Sequence, residues 1–292
     1  MRDLGNIITG KVWMAGMLAG IFALLGLRLL PFVILSGAMI AVPALRLGWR
    51  YGFMAITYAA LILCAGWYWL GTPPGVPFPL ALLIWPLLLV LTEARRRSGG
   101  LHLPLMAMGL IMVIYVIVMH LVTGDVMAFW QRWLSHAMAA VPGISVRSFE
   151  QNEALRVVNG FVAMLLGLSL MLALLLGRWL GSLSDQPGSF APEFRALALS
   201  RMVLPLTVAA IWGAGLWEPL MKTDLLMVAI LFYCFVGLAV LQGVIAIRGM
   251  SSLWLIPIYL MVLIYPPQGL VALALIGALD PFVHFRQQQG QP

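Results

Sequence analysis

Charge is scarce in this sequence. Of its 292 residues 63% are hydrophobic and 9% charged, too few polar groups to cover a water-soluble domain. No fifty-residue window lacks an apolar run, which excludes a separate soluble domain. Its two cysteines, Cys64 and Cys234, lie inside apolar segments and form no Cys-x-x-Cys pair. That argues against a disulfide framework or thiolate metal site and leaves both as packing residues. The four histidines, His102, His120, His136 and His284, are too far apart in sequence for a local metal site. Phosphate-cradling glycine loops, His-Glu-x-x-His and paired-carboxylate motifs are missing, and the serines of 181–185 lack the closing glycine of a nucleophile elbow. The expectation is therefore no intramembrane catalysis, no bound metal and no cofactor.

What the chain does have is apolar runs, with its few charges between them. In a bilayer each backbone polar group is satisfied within its own helix, so this pattern predicts an all-α, polytopic transmembrane helix bundle. The runs fall at 12–27, 29–47, 51–70, 78–92, 103–123, 157–177, 201–217, 225–247, 253–265 and 268–283, giving eight to ten spans in a single integral membrane domain, 1–292. Residues 12–123 hold the N-terminal spans, 124–156 an outer segment, 157–283 the C-terminal spans and 284–292 a tail. Arg28 and Pro31 divide the first two runs, and Pro266-Pro267 the last two. Each of these pairs (12–47 and 253–283) is a tight hairpin or a segment that enters and leaves on one side, and the sidedness of the rest is the same either way. The alanines at 15, 19 and 23 resemble a signal-peptide cleavage pattern, but with so many spans behind it an uncleaved first span is expected.

A net charge of +7 would suit nucleic acid, yet the basic residues are scattered singly at the ends of runs. The positive-inside rule is the better account, so the expected partner is the lipid bilayer and not nucleic acid. With Arg95, Arg96 and Arg97 placed in the cytoplasm, alternation puts 12 of the 17 Lys and Arg inside. Arg28, Arg132, Arg147, Arg156 and Lys222 fall outside. This predicts a membrane protein with both termini in the cytoplasm.

In the outer segment Val126, Phe129, Trp130, Trp133, Leu134, Ala137 and Val141 recur at helical spacing, with Gln131, Arg132, Ser135 and His136 opposite. The spacing predicts an interfacial amphipathic helix ended by Pro142-Gly143. Ser148 and Gln151 then read as a capping box, starting a helix over 149–180. In the main cytoplasmic loop, Pro192 and Glu193 suit the first turn of a short helix, with Phe194, Leu197 and Ala198 resting against the membrane face.

Few residues invite a functional reading. His120, at the outer end of a span, is within reach of Asp125, but an interfacial histidine in ordinary polar company is the preferred reading. Gln242 is the deepest polar residue among the spans; it binds a ligand or, preferably, holds two helices together. Gln242, Asn159 and Tyr233 are the candidate ligand-binding residues. Asp280 and Arg286 are expected to pair, and with Glu193, Phe194 and Arg195 they form a candidate cytoplasmic motif. Ala15, Ala19 and Ala23, with Gly16 and Gly20 beside them, make a surface that permits close helix approach. It is read either as internal packing or as a docking face for a partner membrane protein or a second copy. Interfacial tryptophans and tyrosines (Trp67, Tyr68, Trp69, Trp130, Trp133, Trp217) are assigned only to an aromatic belt.

Three stretches, taken together, carry a resemblance: 174–179 with 187–195, then Gly237 to Gly243, then Ala274 to Arg286. In order and spacing the chain resembles the YybS-like family of bacterial predicted membrane proteins, most specifically in its C-terminal half. The first half is similar only in hydropathy. The resemblance implies a protein of the bacterial cytoplasmic (inner) membrane and brings no activity with it. A looser likeness, to the substrate-binding subunits of energy-coupling-factor transporters, implies a docking role for the alanine stripe. Two functions follow as expectations: a non-catalytic, transport-related subunit acting with partner proteins, or a structural protein organising an envelope complex.

Overall fold

A computed structural model describes residues 11–70, 79–138, 154–283 and 285–286. Among these residues there are twelve α-helices and no strand. They are α1 (Val12–Gly26), α2 (Pro31–Leu47), α3 (Trp49–Leu70), α4 (Leu80–Ser98), α5 (His102–Thr123), α6 (Val126–Met138), α7 (Val158–Asp185), α8 (Phe190–Arg195), α9 (Val203–Trp217), α10 (Pro219–Ile247), α11 (Ile256–Ile264) and α12 (Pro266–Val283). Each expected apolar run corresponds to one helix, and α6 is the expected amphipathic one. Five of them (α3, α5, α7, α10 and α12) are long and apolar enough to cross a membrane. The exterior is correspondingly oily, with Leu206 68% and Leu263 75% exposed.

The middle of the bundle is α7 and α10, whose apolar windows are 56% and 67% buried, against 22–28% for α3, α5 and α12. The helix expected over 149–180 runs instead from Val158 to Asp185, entered through a 3-10 turn at Ala154–Arg156. At 28 residues it is about 42 Å long. The Ser148–Gln151 capping box lies outside the described residues.

Two seams of small residues set how closely the helices approach. Along α1, a Cβ on Gly16 would lie 2.7 Å from the Ala55 carbonyl oxygen, and one on Gly20 2.9 Å from that of Ala59. The α1–α3 backbones therefore meet with no room for a side chain. Gly66 faces Leu24, so the two helices run parallel. Between them α2 returns antiparallel, its Val33 against Gly26 and its Ser36 Oγ donating to the Ala19 carbonyl at 2.7 Å. Trp85 Nε1 of α4 donates to the same Ser36 hydroxyl at 3.0 Å, which satisfies the polar groups of this otherwise apolar core. The first pair of runs is thus a hairpin nearly as deep as α3. The second seam joins α10 and α12: a Cβ on Gly237 would lie 2.0 Å from the Leu273 carbonyl oxygen, and one on Gly277 2.2 Å from that of Tyr233.

The last pair of runs leaves α10 and comes back beside it, since the Arg286 side chain lies against Gly243. α11 has nine residues, about 14 Å, and is too short to cross a ~30 Å core by itself. Ion pairs and polar contacts collect at two ends. Arg95, Arg178, Glu193, Arg195, Asp280 and Arg286 lie at one, called here the Arg-rich end; His120, Asn159, Glu218 and Asp224 lie at the other. These are the two sets that the Lys/Arg alternation separates.

Candidate functional site

The His120 end is built from four helices, α5, α6, α7 and α10. Pro219, whose missing N–H costs nothing at the first helical position, starts α10 six residues ahead of its longest apolar stretch. That brings Asp224 inside the helix and leaves Glu218 at its N-terminal boundary. Both carboxylates face one ring on α5. His120 Nδ1 is 2.5 Å from Glu218 Oε2, and Nε2 is 2.8 Å from Asp224 Oδ2. Each ring nitrogen thus has a carboxyl oxygen of its own, one from the boundary of α10 and one from inside it.

Asn159 near the start of α7 extends the network. Its Nδ2 donates to Asp224 Oδ2 at 2.6 Å, and its Oδ1 accepts from Tyr115 OH and Trp130 Nε1, each at 3.3 Å. One asparagine thus links α5, α6, α7 and α10, with its oxygen accepting twice and its nitrogen donating. The side chains of His120 and Asp224 are 5% and 1% exposed, while that of Glu218 is 28% exposed. Asp224 Oδ1 is sealed from solvent and has no hydrogen-bond partner among the described residues.

His120 was expected in ordinary interfacial company, with Asp125 as its alternative partner. Instead Asp125 caps α6, accepting the Ala128 N–H at 2.9 Å, and the ring is held by carboxylates about a hundred residues away. The two carboxylates bind opposite ring nitrogens and so do not converge on one point. Among the described residues no three His, Cys, Asp or Glu side chains are arranged to hold a metal ion.

Below this cluster α5, α9 and α10 part to leave a cleft of about 330 Å³. Gly109, Val113, Thr207, Ala210, Leu225 and Phe232 are among its walls, and Leu225 adjoins Asp224 in sequence. Its lining is apolar except for Thr207, whose hydroxyl is 3.1 Å from Tyr233 OH. Of the three candidate ligand residues, Asn159 belongs to the polar cluster and Tyr233 stands behind the cleft. Gln242 belongs to neither: its Nε2 donates to Tyr259 OH at 3.2 Å and ties α10 to α11.

The stripe of Ala15, Gly16, Ala19, Gly20 and Ala23 faces inward. All five are buried, the alanines at 0–1% exposure, against α2 and α3. A partner therefore has no access to them, and the docking reading gives way to internal packing. At the Arg-rich end the expected Asp280–Arg286 pair is present, and Arg286 Nη1 also donates to the Arg195 carbonyl at 2.6 Å. Glu193 does more than sit at a helix start. It accepts from Arg95 Nε and Nη2 at 2.8 and 2.9 Å and from Arg178 Nε at 2.8 Å, pinning α8 to α4 and α7. Phe194 and Leu197 are buried in the core rather than resting on the membrane face, 6% and 2% exposed.

Compared with known proteins, the chain matches no protein-family model, no curated protein and no solved structure.

Proposed function

We propose that the protein is a non-catalytic, transport-related subunit of a bacterial cytoplasmic membrane. On this reading it takes a small, largely apolar molecule from the bilayer into the α5–α9–α10 cleft and works with partner proteins. The observation that carries the reading is the cleft itself. Its volume of about 330 Å³ is at the small end of ligand sites. It is about twice the ~150 Å³ that suffices for a benzene-sized guest. Exposed Met106, Leu110 and Leu206 rim it, so the approach is from lipid rather than water. The single hydroxyl of Thr207 gives it one polar point for orientation.

The His120 cluster braces one end of the cleft, and ionisable groups inside a membrane bundle mark functional pathways more often than plain scaffolding. It does not resemble a catalytic pair. Both ring nitrogens are engaged by carboxylates, leaving none to take a proton from a nucleophile. The Lys/Arg excess supports cytoplasmic termini. Kinship with YybS-like proteins rests on the sequence resemblance alone; the stretches that carry it meet at Gly237, Gly277, Arg195 and Arg286. A partner protein or second copy then meets an outward lipid-facing surface, since the α1 stripe is occupied. One observation, the closely filled α1–α3 seam, favours the alternative of a structural protein organising an envelope complex.

Native mass spectrometry of the protein released from mild detergent separates the two. Ala210 lines the cleft and is exposed, so Ala210→Phe fills the space without disturbing the core. The expected result is a bound small molecule on the wild type that is lost in the variant at unchanged thermal stability. A wild type carrying nothing, or a variant retaining the same adduct, favours the structural role.

A further inference from the structure

The Arg-rich end holds a second cavity, unrelated to the apolar cleft. It lies among the ends of α2, α4 and α7 and has a volume of about 320 Å³. Arg46, Arg95 and Arg178, one from each helix, line it together with Gln186, while Val42 and Leu45 form an apolar side. No carboxylate is among its described lining residues. We propose that this cavity binds a phosphate group, either inorganic phosphate or the phosphate of an anionic lipid headgroup.

Three features support a built anion site rather than a chance gathering of positive charge. First, the guanidiniums are held in place. Glu193 bonds both Arg95 and Arg178, whose side chains are only 18% and 14% exposed, and Ser189 Oγ accepts from Arg178 Nη2 at 3.0 Å. Second, donors remain. Each guanidinium has five N–H groups, and the bonds to Glu193 and Ser189 engage two nitrogens of each. Among the described residues the Nη1 groups of Arg95 and Arg178 have no partner. Two guanidiniums with open Nη1 groups, beside the positive charge of Arg46, suit an anion with several acceptor oxygens. Third, there is room. Gly181 is buried and lines the cavity, yet a Cβ placed on it meets nothing within 4 Å. The position, at helix ends and beside the apolar Val42 and Leu45, is where a lipid phosphate resides, and basic pockets between membrane helices bind such headgroups.

Gly181→Leu tests this without altering a charge, because its side chain enters open space and leucine favours the helix more than glycine. Thermal stability of the full chain would be measured in three settings: phosphatidylcholine nanodiscs, the same nanodiscs with added inorganic phosphate, and nanodiscs containing phosphatidylglycerol. Sodium chloride at matched ionic strength serves as the control. The expected result is saturable stabilisation of the wild type beyond the chloride control. It should be absent in Gly181→Leu and, for Arg46→Gln, require roughly tenfold more ligand, as expected for one positive charge lost from the lining. Stabilisation by inorganic phosphate identifies a free anion as ligand; stabilisation only with phosphatidylglycerol identifies the lipid. No stabilisation in either setting, or equal stabilisation of Gly181→Leu, overturns the proposal.

Discussion

Replacing His120 by alanine removes the one group that faces both carboxylates of the buried cluster. Asp224, 1% exposed, would keep only the Asn159 amide, and its Oδ1 is already without a partner among the described residues. Breaking a buried pair from one side in this way costs about 3–5 kcal/mol. Glu218 is different: its side chain is 28% exposed and water can replace the ring, so Glu218→Gln should cost about 1 kcal/mol or less. Because the cost of His120→Ala is chiefly that of stranding Asp224, His120→Ala/Asp224→Ala should destabilise less than the sum of the single changes, by about 2–3 kcal/mol. Reversible unfolding in mixed micelles, followed by tryptophan fluorescence, would measure all four variants. A cost below about 1 kcal/mol for His120→Ala, or additivity in the double variant, refutes the reasoning.

Three further outcomes follow from packing and sidedness. Ala19→Leu should yield misfolded or degraded protein, because Ala19 is fully buried in the α1–α3 seam; a folded variant that merely loses a partner would restore the docking reading. Gly277→Leu should disrupt α10–α12 packing and lower expression sharply, since a Cβ there falls 2.2 Å from the Tyr233 carbonyl oxygen, and a stable variant at normal yield would contradict that approach. With Cys64 and Cys234 replaced by alanine, a cysteine at Arg132 should react with an impermeant reagent in intact cells and one at Arg97 should not; the opposite labelling would reverse the proposed orientation.

The sequence made the helices readable because in a bilayer apolar run and helix are nearly the same thing. Ten runs became ten helices, and the amphipathic spacing of 126–138 marked α6. Boundaries mattered more than count. Beginning the eighth run at 225 put Asp224 just outside it, so an acidic residue one and a half turns inside α10 looked like a loop charge. Pro219, a good first residue for a helix, was the available signal. That His120 and Asp224 share a hydrogen bond was not readable, because 104 residues separate them and nothing local couples α5 to α10. The alanine-glycine stripe showed that something packs closely on α1, but its periodicity is the same whether the neighbour is α3 or another protein. Asp280 and Arg286 were readable as a pair because a gap of six residues at a helix end leaves them few other companions. The cleft had no signature at all: aliphatic residues lining a void and those filling a core are indistinguishable in one chain.

The proposed binding site is the cleft between α5, α9 and α10. Cryo-electron microscopy of the protein in nanodiscs, at a resolution that resolves side chains, tests it most directly. Discrete non-protein density bounded by Gly109, Thr207 and Phe232 is expected in the wild type and not in Ala210→Phe. A cleft that is empty, or closed by α9 moving against α5 and α10, would contradict it.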